Sequence, residues 1–131
     1  YRIVPNIIKK INTKKKILIH GDGKQTRTFC YITDAIAGFF KVIFRKDKNL
    51  IFNIGNPDNE ISMNSLIKIF DKILTKKNQY SLIDYPSHYP ADEPRRRCPD
   101  VNLAKNKLNY NPQVSVEEGI RRVLKFNKII K

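Results

Sequence analysis

Apolar residues at Val4, Ile7, Ile8 and Ile11 follow the i, i+3, i+4, i+7 spacing of one helix face, with Pro5 where a first turn tolerates it. The basic run from Asn12 to Lys16 ends that pattern. Ile17 to His20 then predicts a strand, stopped by the tight turn Gly21-Asp22-Gly23. Phe29 to Ile32 predicts a second strand. Thr33 or Asp34 predicts the cap of a helix that turns Ile36, Phe39, Phe40, Ile43 and Phe44 to one side. Leu50 to Ile54 predicts a compact apolar strand closed by Gly55-Asn56-Pro57.

Further along, Ser62 predicts the cap of a helix with Met63, Leu66, Ile67, Phe70, Ile73 and Leu74 on its buried stripe. Tyr80 to Tyr85 predicts extended chain, and Pro86 to Pro99 a loop broken by prolines. Asp100 predicts the cap of a short helix through Leu108, and Ser115 with Glu118 forms a capping box opening a last helix with Ile120, Val123 and Leu124 inward. Four or five helices alternate with three or four short strands, and no repeat is visible. The alternation predicts an α/β or α+β fold. Strands of four or five residues are short for a self-sufficient sheet, so the segment reads as an α/β piece whose strands join a larger one.

Composition narrows the class. With 131 residues, 40% of them hydrophobic, and twelve Pro and Gly together, the chain is neither collagen-like nor simply disordered, and its size suits one domain, residues 1–131. No apolar run approaches the ~18–20 residues of a membrane span, and YRIVPNIIKK does not read as a signal peptide. Cys30 and Cys98 form no disulfide framework or zinc spacing, which favours a reducing cytoplasm. Tyr1 in place of Met carries the expectation of a fragment or processed product.

Twenty-six Lys and Arg against twelve Asp and Glu give a formal charge of +14. That balance suggests nucleic acid or an anionic ligand. However, Ile, Lys and Asn account for 50 of the 131 residues, the drift of an AT-rich genome, so local placement of charge matters more than its sum. Phe29, Tyr31, Tyr85 and Tyr89 near the arginines invite a single-strand nucleic-acid module as the alternative, with bases stacking on rings. Core packing explains Phe29 and Tyr31 more simply, and the lysines are scattered over several helices.

No GxSxG, HExxH, P-loop or GxGxxG motif occurs. Asp92 and Glu93 lie beside three arginines, where ion pairing is the simpler reading. His88 has no visible partner for general-base work, and His20 at a strand end suits a packed or ligand-edge position. Two features point to an anion. One is Arg27, following the glycine turn, and the other is Arg95-Arg96-Arg97, bracketed by Pro94 and Pro99. A planar guanidinium matches phosphate oxygens with two parallel hydrogen bonds, so an arginine from each segment could converge on a diphosphate.

In order along the chain, VPNIIKKI, ILIHGDGKQTRTFCYITDAIAGF, IFNIGNPDNEISMNSL and DEPRRRCPDVNLAKNKLNYNPQVSVEEGI resemble the C-terminal part of extended short-chain dehydrogenase/reductase enzymes. These are NAD-dependent nucleotide-sugar epimerases, dehydratases and decarboxylases, with the UDP-glucuronate decarboxylase branch nearest in appearance. The resemblance runs from Val4 to about Phe126. It implies the substrate-binding portion of an extended Rossmann-type enzyme that takes a UDP-sugar, uses NAD to oxidise the sugar at C4, and forms a homodimer when complete. The family's glycine-rich NAD turn and Tyr-x-x-x-Lys pair belong to an N-terminal part and do not occur in this chain, which implies that the chain alone is inactive, or a truncated remnant.

Residue by residue, the resemblance places Val4 and Pro5 at the nucleobase pocket and the backbone of Ile19, His20 and Gly21 against the uracil. It places Arg27 and Arg97 on the diphosphate. His20 stands where a tyrosine is common, and Cys98 where a basic or polar residue is frequent. Asp34 and Asp100 match recurrent family positions that helix capping suffices to explain.

Overall fold

The computed structural model describes residues 2–46, 49–87 and 94–131. His88, Tyr89, Asp92 and Glu93, singled out from the sequence, lie outside the described residues. Three long helices and one strand make the main core. Helix α1 (Ile3–Asn12) buries Ile7 and Ile8 against strand β1 (Ile17–His20), whose Ile17 and Ile19 point inward. Helix α3 (Met63–Leu74) brings Leu66, Ile67 and Phe70 to the same core, and helix α5 (Val116–Phe126) adds Ile120 and Leu124. Complete burial of such side chains stabilises by roughly 1.5–3 kcal/mol each before chain entropy is charged.

Capping follows the sequence at two of these helices. The Ser62 hydroxyl accepts from the Ser65 amide at 3.0 Å, and the Ser115 hydroxyl accepts from the Glu118 amide at 3.2 Å. The remaining helices are α2 (Ile32–Ile43) and α4 (Asn102–Leu108). Asp100 accepts from the Asn102 amide at 2.8 Å just ahead of α4.

Two small sheets join these helices. Strand β1 pairs in parallel with β4 (Tyr80–Ile83), in the register Ile17↔Tyr80 to His20↔Ile83. The second sheet has β2 (Thr26–Thr28) in its centre, antiparallel to β3 (Glu60–Ser62) and parallel to β5 (Arg96–Arg97). No helix among the described residues is long and apolar enough to cross a membrane.

Four sequence expectations change, one of them the loop expected from Pro86 to Pro99, which holds strand β5. The strand expected at Phe29 to Ile32 lies earlier, at Thr26–Thr28. After Phe29 donates its amide to the Asn59 carbonyl at 3.3 Å the chain leaves the sheet, and Ile32 opens α2. Neither Thr33 nor Asp34 caps that helix, because Tyr31 holds the N-cap position and the Asp34 carboxylate accepts instead from the amides of Gln113 (3.1 Å) and Val114 (2.9 Å). Leu50 to Ile54 forms no strand and pairs with no other strand among the described residues, and Ile51 is 91% exposed. Correspondingly, the apolar side of α2 faces solvent: Phe39, Phe40, Ile43 and Phe44 are all more than half exposed.

Candidate functional site

The site grows from the Gly21-Asp22-Gly23 turn at the end of β1. Gly21 and Gly23 both take φ of +70°, the left-handed region where a side chain is strained. A Cβ on Gly21 would also lie 2.8 Å from the Tyr85 ring, so the bare backbone lets Tyr85 cover the turn. Gln25, buried, donates to the His20 carbonyl at 2.7 Å and ties the two sides of the turn together. The Asp22 carboxylate accepts from the Lys24 amide at 2.9 Å.

Register then decides which arginines meet. Partners directly opposite in a ladder project from the same face of the sheet. In the β2–β5 pair, Thr26 stands opposite Arg96 and Arg27 opposite Arg97. Arg27 and Arg97, seventy positions apart in sequence, therefore share a face. Arg96 lies on the other face, where Glu60 engages it in a fork at 2.8 and 2.9 Å. Arg95, just outside the strand, is engaged by both oxygens of Asp22, at 2.8 and 3.1 Å.

Those pairs set the local electrostatics. The Arg95 guanidinium and the Lys24 amide hold the Asp22 carboxyl down at about 2, and Arg96 with Thr26 lowers Glu60. Both acids are thus committed to two arginines of the triplet. Arg27 and Arg97 instead line a cleft of about 520 Å³ with Lys10, Ile19, His20 and Tyr85. No carboxylate lines this cleft among the described residues. An adjoining depression of about 550 Å³, edged by Thr28, Cys98 and Pro99, is lined by the same two arginines together with Arg96.

The cleft has an aromatic wall. His20 and Tyr85 stack with centroids 5.8 Å apart and planes 22° from parallel. His20 Nδ1 lies 3.1 Å from the Asp84 carbonyl, which can only accept, so the neutral ring carries its proton on Nδ1.

Of the residues named from sequence, Ile19, His20, Arg27 and Arg97 come together in this cleft, and Gly21 sits beneath Tyr85. Val4 and Pro5 do not. They line a neighbouring apolar cavity of about 560 Å³ with Phe29, Tyr31 and Val123. The helix explains the separation: Ile3, Asn6 and Lys10 form the side of α1 that faces the arginines, and each step along a helix rotates by about 100°. Lys10 and Asn6 were not singled out from sequence; their i, i+4 spacing beside the apolar stripe of α1 is the signal that was available.

A family model described as GDP-mannose 4,6 dehydratase matches residues 1–123. The chain is 32% identical over 123 residues to UDP-glucuronic acid decarboxylase 1 of Arabidopsis thaliana, covering 94% of this chain and 27% of that protein. It is 35% identical over 121 residues to UDP-glucuronate 4-epimerase of Thermodesulfobacterium geofontis, covering 92% of this chain and 36% of that protein. The crystal structure of UDP-glucuronic acid 4-epimerase from Bacillus cereus, in complex with UDP-glucuronic acid and NAD, superposes with a TM-score of 0.85 at 30% identity, covering 99% of this chain and 40% of that one. The chain therefore spans 27% to 40% of the length of these relatives. On this match across nearly its whole length, the chain belongs to the GDP-mannose 4,6 dehydratase family, within the NAD-dependent nucleotide-sugar epimerases and dehydratases.

Proposed function

We propose that this chain is the substrate-holding portion of an NAD-dependent nucleotide-sugar epimerase, dehydratase or decarboxylase, and that it grips the pyrophosphate of a UDP-sugar between Arg27 and Arg97. One observation carries the reading: the parallel register that sets these guanidiniums side by side on one sheet face, over a cleft lined by no described carboxylate. Two forks can each give two charge-assisted hydrogen bonds to phosphate oxygens, and Lys10 adds a third positive charge. The backbone of Ile19 to Gly21 meets the base along the edge that β4 leaves unpaired, with the His20–Tyr85 pair as the wall beside it. Val4 and Pro5 close the apolar side of α1, next to rather than inside the arginine cleft. The choice of UDP rests on the curated and solved relatives, which are named for UDP-glucuronate chemistry.

Within the complete protein, grip on the nucleotide end places the sugar against the oxidising centre. Binding energy from this remote, unreacting part offsets the entropy of orientation. Oxidation at C4 would make a neighbouring carboxylate or proton labile. NAD, when bound, supplies the hydride acceptor. This chain's own residues do not fit the dinucleotide: the Gly21-Asp22-Gly23 turn runs into strand β2 rather than a helix N-terminus, and no Tyr-x-x-x-Lys pair occurs. The open apolar side of α2 and the unpaired Leu50 to Ile54 segment support a role as one part of a larger α/β body. The chain alone is then catalytically inactive, and the complete enzyme a homodimer.

Amide chemical-shift mapping of the full chain with UDP-glucuronate tests the reading. Expected are saturable shifts at Ile19, His20, Gly21, Arg27 and Arg97. Shifts confined to other surfaces, or steeply salt-dependent RNA binding that UDP does not displace, would overturn it.

A further inference from the structure

The basic run after α1 takes no part in the arginine cleft, yet the fold gives it a partner. Lys14 and Lys15 meet Lys76 and Lys77, sixty residues away, and with Lys10 they line a separate cleft of about 160 Å³ floored by Ile11 and Ile17. Sequence spacing scatters these lysines; tertiary structure collects them. The two segments are held together where the parallel strands β1 and β4 begin, with Ile17 opposite Tyr80 and the Ile17 amide donating to the Gln79 carbonyl at 2.9 Å. Each loop leaves its helix through a left-handed residue, Lys14 at φ 52° and Thr75 at φ 51°, which turns the following lysines toward each other.

The ammonium groups of Lys14, Lys15, Lys76 and Lys77 have no competing task, while Lys10 also lines the arginine cleft. The last carbonyls of α1 and α3 are satisfied by backbone, through the Lys15 amide on Lys10 (2.9 Å) and the Lys76 amide on Asp71 (3.2 Å). The nearby Asp71 carboxylate accepts from the backbone and side-chain amides of Asn78, at 2.9 and 2.6 Å. Glu117 is engaged by Lys72 and Arg121. No carboxylate lines the cleft, and none of its five lysines forms an ion pair among the described residues.

We propose that this lysine cleft is a second anion site, distinct from the arginine cleft, which binds a compact polyvalent phosphate of pyrophosphate size. Five mutually repelling charges around one small space favour a ligand of concentrated negative charge. Ammonium groups bind phosphate as point charges without demanding fork geometry. The cleft, of about 160 Å³, is small and edged by lysines, a size that suits linked phosphates. No aromatic ring lines it among the described residues, so a base gains nothing there. The recognised chemistry is the phosphate pair itself, whether free or at the end of a nucleotide.

Calorimetric titration of the full 131-residue chain with inorganic pyrophosphate, at about 50 and about 300 mM KCl, tests this. Two sites are expected. Lys76→Gln with Lys77→Gln weakens one of them at least about tenfold and leaves the other, and Arg97→Ala does the reverse. Lys14→Gln with Lys15→Gln is a second route to the same loss, and circular dichroism checks the fold of every variant. UDP binds the lysine site no more tightly than pyrophosphate. Unchanged pyrophosphate binding in both lysine double variants overturns the proposal. So does a nucleotide favoured tenfold at that site, or an RNA oligomer that the lysine variants release and pyrophosphate cannot displace. Loss of the arginine site alone would refute the UDP-sugar reading and leave this one standing.

Discussion

Truncating Arg97 to alanine separates recognition from folding. Its backbone sits in register with Arg27, and its carbonyl accepts from the Thr28 hydroxyl at 3.0 Å; both survive the change. The side chain is exposed, so the stability cost is expected within about 0.5 kcal/mol. Against a pyrophosphate, hydrogen bonds to charged groups contribute about 1.5–3 kcal/mol. At 1.4 kcal/mol per tenfold, UDP affinity should fall roughly 10- to 150-fold. Uridine has no phosphate and should change by less than about twofold. Titration calorimetry with both ligands, beside a urea melt, reads all three quantities. Arg97→Lys keeps the charge but loses the fork, and should fall between wild type and alanine. Undiminished UDP affinity, or equal losses for UDP and uridine, would show that Arg97 does not hold the diphosphate.

Asp34→Ala strips the acceptor from the Gln113 and Val114 amides and should cost about 2–4 kcal/mol in urea denaturation, with Asp34→Asn costing less; a change under about 0.5 kcal/mol would refute that tether. The Asp22 carboxyl should titrate near 2 by NMR, and Arg95→Ala should return it toward 3.8. Because its folded value is depressed, the Asp22–Arg95 contribution to stability is present above the unfolded value of about 3.9 and fades as pH falls through 2. Phe40→Glu and Ile43→Glu, at 51% and 67% exposure, should leave the chain's stability within about 0.5 kcal/mol while reducing binding of an apolar dye; a loss above about 2 kcal/mol would mean that the face is covered.

Local signals were the legible ones. Helices α1, α3 and α5 announce themselves by apolar spacing, and two of them by serine caps, since each signal is complete within one or two turns. β2 is harder to read: Thr26-Arg27-Thr28 has no apolar alternation, and only its neighbours β3 and β5 make it a strand. The apolar Phe29 beside it draws the expectation three residues too far along. β5 is concealed in a run of three arginines that composition alone presents as a solvated charge cluster. The stripe of α2 shows a different limit. Periodicity reports that one side is apolar, not that anything lies against it, and here Ile36, Phe39, Phe40, Ile43 and Phe44 stand open while Leu50 to Ile54 lacks a strand partner among the described residues.

Sequence pointed to an arginine from each of two segments, but which member of the triplet faces Arg27 is a matter of parity and acid placement. Residues 26, 28, 60 and 96 fall on one face of the β3–β2–β5 sheet, where Glu60 accepts from the Thr26 hydroxyl at 2.6 Å as well as from Arg96. Glu60 is the one acid in these three strands, and it is spent there. The opposite face carries Ile61, Arg27 and Arg97 in adjacent register, two cations beside an apolar side chain. Parity would also send Arg95 to that side, but the turn acid Asp22 engages it instead. A one-residue slip of β5 would place Arg96 or Cys98 opposite Arg27 and break the fork on Glu60. The two ion pairs therefore do more than neutralise charge: they fix the register that brings Arg97, and no other arginine of the triplet, to Arg27.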